Sequence, residues 1–329
     1  MVLQDITPLA SSGRLQKVVL NLTDQDFPYV SQLIPFSQDI RTLSLSGYIS
    51  PSEILAFIKF PHLANISVDF DLRYFASASD QDRINQSVSC LFQSLPSIPH
   101  LDRLRLELPN WAVLPIIPPN MFSKLTTFAL VGSAAIVSQV LSSTTPNKSP
   151  CKVLPQHIIL GFTDVQFTEN VLANRQSSIQ NLAAYSGLSC LTLTTIDGSS
   201  LKALIGPILG LPLMKSLTVE CNRGPAPCDL DDLDVRQIVQ AWPILERLTI
   251  HPFPQDPRDR VNGMVSKISL CGVRSLAKLK RLRVLSIRAG RREVTLPCGY
   301  YHKSESSFDS YMDHIFTFSQ LYGPFFAEQ

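Results

Sequence analysis

One short pattern recurs along most of this 329-residue chain: an apolar residue, two variable positions, an apolar residue, one variable position and a third apolar residue. Its nine copies are Leu15/Val18/Leu20, Ile40/Leu43/Leu45, Leu63/Ile66/Val68, Leu101/Leu104/Leu106, Leu125/Phe128/Leu130, Leu188/Leu191/Leu193, Met214/Leu217/Val219, Leu245/Leu248/Ile250 and Leu282/Leu285/Ile287. A unit of this size cannot bury its own apolar face, so its copies must stack and share a core. Successive copies start 25, 23, 38, 24, 63, 26, 31 and 37 residues apart. One strand, a turn, a helix and a return loop need roughly 20 to 29 residues. The interval of 63 holds about two such units, with a degenerate copy expected near His157 to Leu160.

Helix-start chemistry lies between the copies. Ser50-Pro51, with Glu53 ahead of Ile54, Leu55, Phe57 and Ile58, offers an N-cap, a first-turn proline and a capping-box carboxylate. Similar segments predict helices near residues 80–95, 133–141, 199–209, 230–242 and 271–279. Pro61, Pro99, Pro212 and Pro243 then precede the next copy, where proline ends a helix and favours extended entry.

Successive side chains of a strand point to opposite faces. The positions alternating with the repeated aliphatics are mostly polar: Lys17 and Asn21; Thr42, Ser44 and Ser46; Asn65, Ser67 and Asp69; Arg103, Arg105 and Glu107; Thr192 and Thr194; Ser216, Thr218 and Glu220; Arg247, Thr249 and His251; Ser286 and Arg288. A sheet covered by helices on both faces needs near-continuous apolar strands. The expected fold is therefore an α/β leucine-rich-repeat solenoid over residues 1–290, a curved horseshoe with parallel strands on the concave face and helices on the convex one. A doubly wound α/β domain is the alternative. From Gly290 the period breaks, and residues 291–329 form an aromatic tail, with a helix expected at 307–320, suited to capping the last repeat.

The segment Asp231-Asp232-Leu233 through Ala241-Trp242-Pro243-Ile244-Leu245-Glu246-Arg247-Leu248, and Ser269-Leu270-Cys271-Gly272-Val273-Arg274-Ser275-Leu276-Ala277 followed by Leu282-Arg283-Val284-Leu285, resemble the leucine-rich-repeat region of fungal F-box proteins. The likeness covers roughly residues 15–287. It implies a ubiquitin-ligase role in which the repeats hold a substrate while an amino-terminal F-box docks on the adaptor subunit of a cullin-type ligase. Repeats here begin by Leu15, so ligase docking is expected only if an F-box lies upstream. The Asn or Cys that follows the strand in regular repeats does not recur, which predicts irregular turns.

Lys and Arg total 29 against 27 Asp and Glu, so no overall field steers the chain toward nucleic acid or an anionic membrane. Seven scattered cysteines without a CxxC pair suggest a reducing compartment. The first fifteen residues do not read as a signal peptide, and the longest apolar stretches are too short to span a bilayer. A cytoplasmic or nuclear protein that does not engage membrane is expected. Four Asn-x-Ser/Thr triplets, at Asn21, Asn65, Asn85 and Asn147, matter only in a secreted chain.

No phosphate-binding, zinc-protease, esterase or calcium-loop motif is present. The six histidines are scattered, and Cys221 and Cys228 bracket a loop without a nearby histidine, so neither set suggests a metal site. No catalytic residue, cofactor or metal is expected. The sequence points to a protein-interaction scaffold, not an enzyme. Small hydroxyl groups with charged anchors at Asp69, Arg103, Arg105, Glu107, Glu220, Arg247 and Arg288 would contact a protein partner or ubiquitination substrate.

Two other readings stay open: a small-molecule enzyme on a conventional α/β fold, and nucleic-acid or acidic-partner binding through the basic segment 274–292. That segment holds Arg274, Lys278, Lys280, Arg281, Arg283, Arg288, Arg291 and Arg292, and a solvated helix end explains part of it. The absence of interleaved aromatics disfavours nucleic acid. Asp229, Asp231, Asp232 and Asp234 are read as helix caps, Trp242 as core, and the apolar loop 110–119 as a binding lip or a packed flank.

Overall fold

The computed structural model describes residues 15–22, 29–70, 77–118, 121–122, 124–144, 155–164, 168–194, 200–220, 229–251, 267–289 and 292–296. The chain is α/β and divides into two units, Met1–Thr195 and Ile196–Gln329.

In the first unit the strands are β1 (Lys17–Leu22), β2 (Thr42–Gly47), β3 (Asn65–Asp69), β4 (Arg103–Glu107), β5 (Thr127–Gly132), β6 (His157–Phe162) and β7 (Cys190–Thr194). They pair in chain order, every pair parallel. The register aligns each copy of the sequence pattern with the next. Val18, Leu43, Ile66, Leu104, Phe128, Ile158 and Leu191 form one row across the sheet, and Leu20, Leu45, Val68, Leu106, Leu130, Leu160 and Leu193 another. All are buried apart from the half-buried Leu20. A slip of one residue would turn a strand's whole aliphatic set to the other face, so burial enforces the register. The leading apolar residues Ile40, Leu63, Leu101, Leu125 and Leu188 are also buried, two residues ahead of their strands.

The helices of this unit are α1 (Tyr29–Gln32), α2 (Pro51–Leu55), α3 (Ala78–Ser94), α4 (Ala134–Thr144) and α5 (Glu169–Leu182). Serine caps start two of them, the one at Ser50 as expected. The Ser77 hydroxyl accepts from the Asp80 N–H at 3.3 Å while the Asp80 carboxylate accepts from the Ser77 N–H at 3.2 Å, the reciprocal pair that closes α3. Ser50 accepts from the Glu53 N–H at 3.3 Å at the start of α2. Glu53 itself departs from the capping-box expectation. It is buried, and its Oε2 accepts instead from the N–H of Val30 in α1 at 2.7 Å. The first turn of α2 faces the preceding helix, so the carboxylate meets that helix's free donors rather than its own.

The 63-residue interval resolves as foreseen into an additional strand, β6, with the buried Pro155 standing where the other copies carry their leading aliphatic. Helix α5, which precedes β7, has no counterpart in the sequence-based expectations. Its Thr168 cap, accepting from the Val171 N–H at 3.4 Å, is the signal that would have found it. Arg175 on α5 is fully buried, its guanidinium carbon 5.3 Å from the centre of the Phe162 ring, a cation–π contact beneath β6.

The second unit contains β8 (Ser216–Glu220), β9 (Arg247–His251), β10 (Val284–Ala289) and β11 (Arg292–Leu296), with α6 (Leu201–Ile205), α7 (Asp232–Ala241) and α8 (Leu270–Ser275). Strands β8, β9 and β10 are parallel in chain order, with Leu217, Leu248 and Leu285 in one buried row. Trp242, where α7 ends, is fully buried, as expected. Beyond β10 the parallel pattern stops, and β11 returns antiparallel along it. The helix expected at 307–320 lies outside the described residues.

Candidate functional site

The open face of the sheet is the candidate site, because the residues between the aliphatic rows are wet. In the first unit these positions also align. One row reads Lys17, Thr42, Asn65, Arg103, Thr127, His157 and Cys190; the middle row Val19, Ser44, Ser67, Arg105, Ala129, Ile159 and Thr192; the third Asn21, Ser46, Asp69, Glu107, Val131, Gly161 and Thr194. Most are exposed or half-exposed, whereas their neighbours one residue away are buried. Along each of these strands one face is thus wetter than the other.

Four of the charged anchors read from sequence come together on β3 and β4. Asp69 is the register partner of Glu107, and Arg103 and Arg105 lie on the same face of β4. Arg105 Nη2 donates to Glu107 Oε2 at 3.3 Å, and Arg103 Nε lies 3.5 Å from Asp102 Oδ2. Both guanidinium side chains stay more than half exposed, so these pairs are weak internal contacts that a partner's carboxylate can replace. Hydroxyls and amides border them: Asn65 Nδ2 donates to Thr42 Oγ1 at 3.0 Å. The face therefore offers both charge signs and adaptable hydrogen-bond groups within a few strands.

The other anchors belong to the second unit. Glu220 on β8 is half-buried and is the register partner of His251, and Arg247 on β9 is exposed and pairs in register with Ser216 and Val284. Arg288 lies on β10 opposite Glu293 of β11, and its side chain lies outside the described residues. Ser286, counted with the wet positions, is buried.

Sequence reasoning passed over the apolar part of this face. Val19 is 65% exposed and Ile159 36%, with Ala129 and Val131 beside Ile159 across β5 and β6. These occupy the same in-between positions as the polar residues, so the repeat register alone would have found them.

The remaining expectations divide clearly. The acidic run is capping: Asp231 accepts from the Leu233 and Asp234 N–H groups at 2.8 and 3.0 Å, Asp234 from the Asp231 N–H at 3.0 Å, Asp232 from the Ser269 N–H at 2.7 Å and Asp229 from the Lys202 N–H at 3.1 Å. Lys202 Nζ sits 2.9 Å from Asp234, which holds the lysine above its ordinary range. Loop 109–118 packs through buried Leu114 and Ile117 while Val113 and Ile116 project outward. His62 and His100 stack with ring centres 6.2 Å apart. They occupy equivalent places three residues ahead of paired Asn65 and Arg103. Among the described residues no group of three or more His, Cys, Asp or Glu side chains could hold a metal ion. No helix among them is long and apolar enough to cross a membrane. Cys221 and Cys228 lie outside the described residues, while Cys90, Cys190 and Cys271 are free thiols. No protein-family model matches the chain, and neither does any curated protein.

Proposed function

We propose that this chain is a leucine-rich-repeat protein whose open strand face binds another protein. The observation that carries the reading is the aligned wet rows. Parallel strands in chain order present exposed Arg103, Arg105 and Ile159 with half-exposed Asp69, Glu107 and the hydroxyls, while the rows between them are buried. A doubly wound enzyme would bind at the crevice where its strand order reverses. Neither unit has such a reversal among its described strands, which favours the scaffold over the enzyme. The resemblance to F-box proteins makes a substrate for ubiquitination the natural occupant, in the cytoplasm or nucleus, with the ligase adaptor engaged if an F-box is present.

The test places a photo-crosslinking residue at Ser67, in the middle row, and separately at Gln93, exposed on α3. A discrete protein adduct at Ser67, absent at Gln93 and abolished by Arg103→Glu/Arg105→Glu, is expected. Equal labelling at both positions overturns the reading. Affinity purification of the chain with its full upstream coding sequence restored tests the ligase role separately, and recovery without any cullin-ligase subunit rejects that role.

A further inference from the structure

The basic residues singled out in the sequence acquire company in the second unit. Ser216, Arg247 and Val284 are register partners on β8, β9 and β10, so Lys215, Glu246 and Arg283, one residue earlier, mark the amino-terminal edge of the three strands. Backbone bonds fix that alignment: the Glu246 N–H donates to the Lys215 carbonyl and the Arg283 N–H to the Glu246 carbonyl, each at 2.7 Å. Lys278, which ends a 3-10 turn of helix, and Lys280 and Arg281 in the turn after it precede Arg283 in the approach to β10.

Lys215, Arg247, Lys278, Lys280, Arg281 and Arg283 are all exposed, and none forms an ion pair among the described residues. Glu246 is half-buried between its neighbours. Capping accounts for a cation or two after a short helix. It does not account for Lys215 and Arg247, which come from other strands. Lys215, Arg247 and Arg283 meet at one end of three adjacent strands, with Lys278, Lys280 and Arg281 in the segment that leads to Arg283. Like charges there repel one another, and that repulsion is relieved when an anion arrives.

We propose that this edge is a docking surface for an acidic peptide segment of a partner protein, continuous through Arg247 with the open strand face. The inference deepens the protein-binding reading and rests on it. Adjacent strands lie roughly 4.8 Å apart, so the edge from β8 to β10 spans about 10 Å, the reach of about three residues of extended chain. A short run of Asp and Glu fits that span. Single-stranded nucleic acid would call for exposed aromatic rings on which bases stack. Among the described residues of this unit the one Phe, Tyr or Trp is Trp242, and it is fully buried.

Fluorescence anisotropy on the full chain tests the proposal with three labelled probes: a peptide bearing a run of Glu and Asp, the same peptide with Gln and Asn in their place, and a single-stranded RNA of comparable charge. Saturable binding of the acidic peptide is expected, weakening as salt rises and by about ten-fold or more in the Lys215→Ala/Arg247→Ala/Arg283→Ala variant. Arg103→Ala/Arg105→Ala, in the other unit, should leave it within about two-fold. Thermal unfolding shows that each variant folds, and Lys280→Ala/Arg281→Ala, confined to a surface turn, provides a second loss if the triple variant does not.

Absence of acidic-peptide binding, equal affinity for the neutral peptide, tighter binding of the RNA, or equal loss with the Arg103/Arg105 variant each overturns the proposal. Crosslinking at Ser67 that survives the triple variant, without acidic-peptide binding, sinks this inference and leaves the protein-binding reading intact. Loss of the Ser67 adduct criterion sinks the latter by itself.

Discussion

The carboxylate of Glu53 reaches across 23 residues of sequence to accept the backbone N–H of Val30 at 2.7 Å. The arrangement recurs: Asp164 accepts from the Ala134 N–H at 2.7 Å, Asp229 from the Lys202 N–H and Asp232 from the Ser269 N–H, so acids of one coil close the helix starts of another. Free amides at a helix start favour an anion, and a buried one needs a partner. Polar bonds thus join coils whose aliphatic rows are already shared.

Removing that link has a defined cost. Glu53→Ala leaves the Val30 amide buried without an acceptor and should lower stability by about 1 to 3 kcal/mol in denaturant unfolding. Burial pushes the Glu53 carboxyl above its ordinary 4.5, against the opposing pull of the Val30, Tyr29 and Ser31 amides. The folded state therefore holds the proton more tightly than the unfolded one. Glu53's contribution is greatest below pH 4.5 and declines as pH rises through the raised value. Glu53→Gln, which keeps an acceptor and does not titrate, should remove that decline and cost less than Glu53→Ala at neutral pH. Equal losses for the two at every pH would refute this account.

Gly47 ends β2 with φ of +98°, and a Cβ there would collide with the Leu22 carbonyl oxygen. That carbonyl also accepts the Tyr48 N–H at 2.8 Å, so it cannot easily withdraw. Gly47→Ala should therefore destabilise by roughly 2 kcal/mol or more, from left-handed strain plus the clash. Gly206, whose surroundings leave a Cβ free, is the control, and Gly206→Ala should be neutral or mildly stabilising in thermal unfolding.

Trp242 is fully buried, and its indole Nε1 has no hydrogen-bond partner among the described residues. Its stabilising effect then comes from ring volume, not from the donor. Trp242→Ala should cost about 3 to 5 kcal/mol. Trp242→Phe removes an unsatisfied donor along with some volume and should cost about 1.5 kcal/mol or less. Comparable losses for the two would show that the N–H is bonded.

Lys202, Asp231 and Asp234 separate two pH effects. The Asp234 carboxylate raises Lys202, so this lysine's contribution is full below pH 10.5 and is lost as pH climbs through the raised value. Asp231 is lowered, first by the Asp234 N–H it accepts, so its contribution is present above pH 3.8 and is lost as pH falls through the depressed value. Lys202→Met should flatten the alkaline side of a melting-temperature profile and leave most of the acid side, because backbone donation rather than the lysine dominates Asp231.

The sequence by itself determined which residues form the spine. All nine copies of the motif became strands, and the doubtful one at His157 to Leu160 became a further strand, because an aliphatic pair spaced by one residue buries one face of a strand wherever it stands. The caps at Ser50 and Asp231 were legible too, being local bonds between residues a few positions apart, whereas the equally local Thr168 cap went unread. Tertiary structure decided what depends on alignment between coils. It sent Glu53 to Val30 instead of to its own helix, and set Ile159 beside Ala129 on the open face. It also gathered Lys215, Arg247 and Arg283 at one end of three adjacent strands. These residues are remote in sequence, and irregular intervals between copies hide their neighbours until parallel register brings equivalent positions one strand apart.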